Sequence, residues 1–185
     1  MNSLTDNSLM LKVKSGDLDK MGLLFERHHR SLYTFLYHTT NRSDVSQDMV
    51  QNVFYRMLKY RSTFTGDGEF KTWMYHLARN VLNDHFRQNK MPFHDDVHEL
   101  GDRIESDLSA DSEFESRQNV EMVQNAMSAL SPEHKEVLIL SRFQELKYEE
   151  IGRILNINEG AVKVRVHRAM SELKKMFLPS NKRIV

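Results

Sequence analysis

Apolar residues recur along this chain at helical spacing, and nowhere do β-branched and polar residues alternate for long. Leu9, Val13, Met21, Leu24, Phe25, Leu32, Phe35 and Leu36 predict two amphipathic segments, the second ending near Asn41-Arg42-Ser43. Ser43 or Asp44 is expected to cap a long third helix whose buried side is Val45, Met49, Val53, Phe54, Met57 and Leu58. Two glycines break the pattern in the loop Tyr60–Glu69, which leaves Phe64 without an amphipathic partner set. A fourth helix follows through Phe70, Trp73, Met74, Leu77, Ala78, Val81, Leu82 and Phe86.

Periodicity resumes after residue 119. Val120, Val123, Met127 and Leu130 mark one helix, and Ser131-Pro132-Glu133 opens another that Val137, Leu138, Leu140 and Phe143 bury. Two further helices follow around a short turn at Asn156-Ile157-Asn158: Tyr148, Ile151, Ile154 and Leu155, then Val162, Val166, Ala169 and Leu173. This is a helix-turn-helix pattern, with Asn158 placed to cap the second helix. Seven glycines and three prolines punctuate the whole sequence. The expected class is therefore all-α, in two small helical domains.

Rotating the last helix by about 100° per residue sets Val162, Val166, Ala169, Met170 and Leu173 on one side. Lys163, Val164, His167, Arg168 and Ser171 fall on the other. A β-branched residue exposed between cations suits a major groove, where Arg and Lys meet guanine acceptors and an apolar group meets the thymine methyl. The plain alternative is a solvated helix surface.

Charge divides the chain where periodicity does. Residues 1–90 carry 13 Lys and Arg against 9 Asp and Glu, residues 91–119 carry 2 against 9, and residues 120–185 carry 11 against 8. The net charge of zero thus hides an acidic, apolar-poor segment between two basic ones. The expected layout is a domain over 1–90, an acidic linker over 91–119, a helix-turn-helix domain over 120–178 and a short basic tail over 179–185. His94 and His98, four apart in the linker, have metal-ligand spacing without a third ligand, so no metal site and no cofactor is expected.

There are no cysteines, which excludes disulfides and thiolate metal sites. No signal-peptide pattern opens the chain and no window approaches 18 apolar residues, so a cytoplasmic location is expected. Phosphate loops, nucleophile elbows and zinc-protease patterns do not occur, and no catalysis or small-molecule substrate is expected.

On the third helix Asp48, Gln51, Asn52 and Tyr55 share the outer side, a candidate docking face. On the fourth, Lys71, Asn80, Asn83, Asp84 and Arg87 lie opposite the core. Amides read base edges, Arg and Lys meet phosphates, and a loop aromatic such as Phe64 offers a stacking platform for single-stranded DNA. Phe64 tucked onto the core is the competing expectation.

Taken together, the chain resembles an RNA polymerase sigma factor of the extracytoplasmic-function (ECF) group. The resemblance rests on Asp44-x-x-x-Asp48-x-Val50-Gln51-x-x-Phe54, on Phe64-x-Gly66, and on Phe70-x-x-Trp73-x-x-x-Leu77-Ala78-Arg79-Asn80 with Asp84-x-x-Arg87. In the second half it rests on Leu130-Ser131-Pro132, Tyr148-x-Glu150-Ile151 and Glu159-Gly160-Ala161-Val162-Lys163-x-Arg165-x-His167-Arg168-Ala169. It implies a domain 2 that melts and reads the −10 promoter element and a domain 4 that reads the −35 element as duplex.

By position, the resemblance implies that Asp48, Gln51, Asn52 and Tyr55 face the β′ clamp helices of core RNA polymerase. Phe64, Lys71, Asn80, Asn83 and Arg87 would serve the −10 element, with Phe64 capturing an unstacked base. Lys163, Val164, His167 and Arg168 would enter the −35 groove, with Arg165 toward phosphates. The implied partners are core polymerase (β′ clamp helices and β flap), promoter DNA and an anti-sigma factor. Val164 stands where the family usually has Ser or Thr, and Asn52 where Glu is common. Two rivals are a conventional two-domain helix-turn-helix regulator, with residues 1–90 as a sensor, and an interaction protein that mimics an anti-sigma factor.

Overall fold

The computed structural model describes residues 4–88, 122–123 and 125–177. The acidic segment 91–119, with His94 and His98, and the tail 179–185 lie outside the described residues. All regular structure among the described residues is helical.

Among the described residues the N-terminal half holds four α-helices, α1 (Asp6–Lys14), α2 (Lys20–Thr40), α3 (Ser43–Lys59) and α4 (Phe70–Gln88), with a 3-10 turn (Arg61–Thr63) between the last two. Thr5 caps α1, its hydroxyl accepting from the Ser8 amide at 3.2 Å, and Leu9, Met10 and Val13 are fully buried. Asn41 ends α2 in the left-handed conformation at φ 56°, which an Asn tolerates better than most side chains.

The start of α3 differs from expectation. Arg42 takes the N-cap position and no side chain caps the helix. Ser43 already belongs to the first turn, where its hydroxyl accepts from Tyr33 Oη at 3.0 Å. Asp44 pairs with Arg42 at 2.9 Å. Hydrogen bonding from the Val45 amide, then from Arg42, holds the Asp44 carboxyl below its ordinary range.

Met49, Val50, Val53, Phe54 and Met57 of α3 meet Phe70, Met74, Tyr75, Leu77, Ala78, Val81 and Leu82 of α4 in one core with α2. Phe25, expected inside, is 40% exposed; its ring stacks on His29 one helical turn away and leans on Phe54. The core beneath it is already closed by Leu24 and Leu32, both fully buried.

The C-terminal half begins with α5, described at residues 122–123 and 125–128, where Val123 is exposed rather than buried. Then come α6 (Pro132–Leu138), a π-helical turn (Ile139–Phe143), α7 (Tyr148–Leu155) and α8 (Glu159–Phe177). Ser131 caps α6 with Pro132 in the first turn, as the sequence suggests. The widening from α6 into the π turn adds a residue to the winding and turns Phe143 outward. Phe143 therefore does not bury its own helix: it is 40% exposed and lies against His38 of α2, ring centroids 4.3 Å apart.

That contact belongs to an interface the periodicity did not announce. Helix α4 packs on α7, and α2 on the π turn. Arg79 of α4 donates to Glu136 Oε1 at 2.6 Å and to the Ile154 carbonyl at 2.8 Å. Tyr75 Oη donates to Gln144 Oε1 at 2.6 Å, and Asn41 Nδ2 to Ser128 Oγ at 3.0 Å. Burial raises the Tyr75 pKa far above its ordinary value, so the hydroxyl remains a neutral donor.

Candidate nucleic-acid and docking surfaces

The turn between α7 and α8 is built from backbone chemistry that few residues satisfy. Asn156 adopts φ 55° and its amide returns to the Gly152 carbonyl, while the Ile157 amide reaches that same carbonyl at 2.9 Å. Asn158 Oδ1 then accepts from the Ala161 amide at 2.8 Å, the cap expected from sequence. At the other end of α7, Glu150 reaches back to the Lys147 amide at 2.7 Å, which gives the Tyr148-x-Glu150 pattern a structural reason.

Val162, Val166 and Ala169 are buried against the other helices of this half, and Met170 and Leu173 are half-buried. Their burial turns Lys163, Val164, His167 and Arg168 outward, all four exposed, with Val164 at 48%. Arg165 sits at the margin of this face: half-buried, it reaches Glu133 of α6 at 3.2 Å. A side chain held there lies beside that exposed face rather than on it.

On α4, Asn80, Asn83 and Arg87 are exposed on one side, and Lys71 is exposed in the first turn. Arg87 pairs with Asp84 at 2.9 Å, and Asp84 pairs also with Arg56 of α3 at 2.8 Å. Asp84 thus ties two helices and restrains one cation of the face.

Phe64 is placed differently from a free stacking platform. It is 3% exposed, its ring 5.2 Å from Trp73 and 6.3 Å from Phe70. An aromatic ring in a loop beside a helix start gains more from joining that cluster than from facing water, because roughly 25 cal/mol per Å² of apolar surface is at stake.

The outer side of α3 presents Asp48, Gln51, Asn52 and Tyr55, all exposed, Tyr55 at 62%. Asn52 Oδ1 accepts from Arg56 Nε at 3.0 Å, so its amide is oriented rather than free to rotate.

Arg79 lies within the Leu77-Ala78-Arg79-Asn80 motif, yet nothing in that motif points to its role in the contact between the halves. An Arg beside the buried Ala78 and Leu77, off the Asn80 face, is the one signal that it serves a packed surface. Asn7 and Lys14 are not signalled either; both lie in a short helix that carries no motif, and both reach the loop beyond residue 63.

With this geometry in place, comparison with known proteins decides the family. Residues 24–91 match the model of sigma-70 region 2, and residues 120–173 match that of sigma-70 region 4. This chain belongs to the sigma-70 family, in its ECF group. The two matches fall on the two helical halves, and a conventional regulator with an unrelated sensor half is not favoured.

The ECF sigma factor BldN of Streptomyces coelicolor is 29% identical over 95% of this chain, which spans 66% of BldN's own length. SigW of Bacillus subtilis is 28% identical over 90% of this chain and 93% of its own, and the sigma-E factor of Haemophilus influenzae 25% over 95% and 97%. The fold is shared with CnrH, solved with the cytosolic domain of CnrY (TM-score 0.72, 20% identity, 92% of this chain and 96% of that one). It is shared also with the sigma factor RpoE of Bartonella quintana, solved with the anti-sigma factor NepR (TM-score 0.67, 19% identity, 84% and 94%). Among the described residues no helix of this sigma factor is long and apolar enough to cross a membrane.

Proposed function

We propose that this sigma factor binds core RNA polymerase through α3, reads and helps melt the −10 element with α4 and its preceding loop, and reads the −35 duplex with α8. The observation that carries the reading is the exposed set Lys163, Val164, His167 and Arg168 on a capped second helix of a helix-turn-helix, on the same chain as the amide face of α4. Cations flanking an exposed Val suit a groove that offers acceptors and a methyl group. Asn80 and Asn83 suit unpaired base edges.

The docking face is Asp48, Gln51, Asn52 and Tyr55, with the β′ clamp helices as partner and the β flap as partner of the C-terminal half. This division of labour asks no catalysis of the chain. The acidic segment 91–119 serves as the tether between the halves. The fold shared with RpoE, solved with an anti-sigma factor, supports a partner of that kind for this chain as well.

Transcription in vitro tests the reading. Core polymerase with this chain is expected to yield run-off product from a cognate promoter, and core polymerase alone none. Equal product with and without the chain refutes it.

A further inference from the structure

Helix α1 precedes the residues that match sigma-70 region 2, yet its polar side faces the loop that leads into α4. Asn7 uses both ends of its amide. Oδ1 accepts from the Phe70 amide, the first of α4, at 2.8 Å; Nδ2 donates to the Gly68 carbonyl at 2.8 Å and, more weakly, to that of Gly66 at 3.4 Å. Lys14 Nζ donates to the Phe64 carbonyl at 2.6 Å.

The Leu11 methyls lie 3.3 Å from where a Cβ on Gly66 would stand, and Gly66 is at φ 85°. Among the described residues, the long-range hydrogen bonds of residues 61–69 run to α1. The helix making them is itself fixed. Leu9, Met10 and Val13 are fully buried, and Asp6 meets Arg27 and His28 at 2.8 Å each.

We propose that α1 positions the −10 loop, with Asn7 and Lys14 holding the backbone of residues 64–68 and the first turn of α4 at a set separation. The inference rests on the reading of α4 and this loop as the −10 surface. A loop ordered before DNA arrives spares the complex the entropy of ordering it then, so pinning is felt at the melting step.

The chemistry at position 7 is selective. An amide alone supplies one acceptor and two donors; a carboxylate keeps the acceptor at the α4 start, where negative charge is favoured, and turns the two glycine carbonyl contacts repulsive.

The test uses the full chain with core polymerase, on promoter pairs with matched or mismatched −10 elements and a common −35. Asn7→Asp and Lys14→Met are each expected to lower product from the matched promoter about fivefold, the factor one net hydrogen bond makes, and from the mismatched one far less. Permanganate reactivity of the −10 thymines should fall in step. Affinity for core polymerase and the response to −35 mutation should stay as in the unaltered chain, and Lys12→Ala, on the exposed side of α1, should behave as that chain does.

Equal losses on both promoters would reduce α1 to a stabilising helix and overturn the proposal, as would unchanged discrimination or faster melting. If the unaltered chain supports no promoter-dependent product, the sigma reading itself falls and the proposal with it, a result distinct from the other three. Thermal unfolding is measured first; should Asn7→Asp be unfolded at the assay temperature, Lys14→Met, which keeps the apolar stem, carries the test alone.

Discussion

Gly152 is the position where one methyl group should do most to the proposed −35 surface. A Cβ there would stand 2.7 Å from the Ile157 carbonyl oxygen, 3.6 Å from the Glu159 amide nitrogen and 3.7 Å from the Asn158 carbonyl carbon. All three are backbone atoms of the turn. To reach ordinary contact, which begins at 3.4 Å, the Ile157 carbonyl must retreat by about 0.7 Å. It cannot retreat alone. The Ile157 amide is bonded to the Gly152 carbonyl and the next residue caps α8.

Overpacking of this kind costs about 1–3 kcal/mol, and replacing a helical Gly by Ala returns up to about 1 kcal/mol. The net expectation for Gly152→Ala is a loss of about 1–2 kcal/mol. For a small domain that is a fall in melting temperature of about 5–15 °C, read by circular dichroism as the C-terminal half unfolds. Because the turn sets the angle between α7 and α8, product from −35-dependent promoters should fall while binding to core polymerase through the proposed α3 face persists. Gly160→Ala is the control, since its Cβ would meet only a side-chain atom, Asn158 Oδ1, at 3.3 Å, and should be nearly neutral. A Gly152→Ala protein melting within about 1 °C of the unaltered chain would refute the steric reasoning.

Three further outcomes are expected. Phe64→Ala removes a ring that is 3% exposed, so it should cost about 3–5 kcal/mol of stability in the N-terminal half, seen in urea unfolding; a loss under about 1 kcal/mol would mean the ring is not seated as described. Arg168→Ala should weaken matched −35 promoters far more than mismatched ones, whereas Arg165→Ala, which also loses the Glu133 pair, should weaken both alike; identical profiles for the two variants would sink the division between groove and margin. Burial holds the pKa values of His38 and His76 below the ordinary 6.5, helped by the charges of Lys135 and Arg79 respectively. The unfolded chain therefore binds more protons than the folded one below pH 6.5, so stability should fall as pH drops below that value; a flat or rising stability from about pH 7.5 to 5.5 would contradict the burial of these rings.

The fold was largely legible because each helix carries its own apolar stripe, and the Asn158 cap and the Ser131-Pro132 start are local signals. Where the sequence reading went astray, a distant group intervened. Ser43 looked like a cap until Tyr33 reached its hydroxyl, and Phe143 looked like core until the π turn carried it across to His38. The face of α8 could be read from rotation alone, since Val162, Val166 and Ala169 fix which side is inward. Phe64 could not, because loop residues have no periodicity and its burial depends on Trp73 and Phe70 lying on the next helix. Asn7 and Lys14 were illegible for the same reason: the groups they bind are backbone carbonyls and an amide some 50 to 63 residues away.

The contact between the two halves bears on how one chain serves two promoter elements. Its named links are polar or aromatic: a half-buried Arg79–Glu136 pair, the Tyr75–Gln144 bond and the tilted His38–Phe143 ring contact. Gln144 Nε2 is buried there without a hydrogen-bond partner among the described residues. Beneath these links the buried apolar residues of the two halves join in one cluster, so the contact is apolar inside and polar at its named links. None of the three proposed faces is consumed by the contact, since Asp48, Gln51 and Tyr55, Asn80 and Asn83, and Lys163, Val164, His167 and Arg168 all remain exposed. The three proposed faces are therefore all open to polymerase and DNA in this arrangement of the halves. Because both halves belong to one chain, the second contact is made at high effective concentration whichever half binds first.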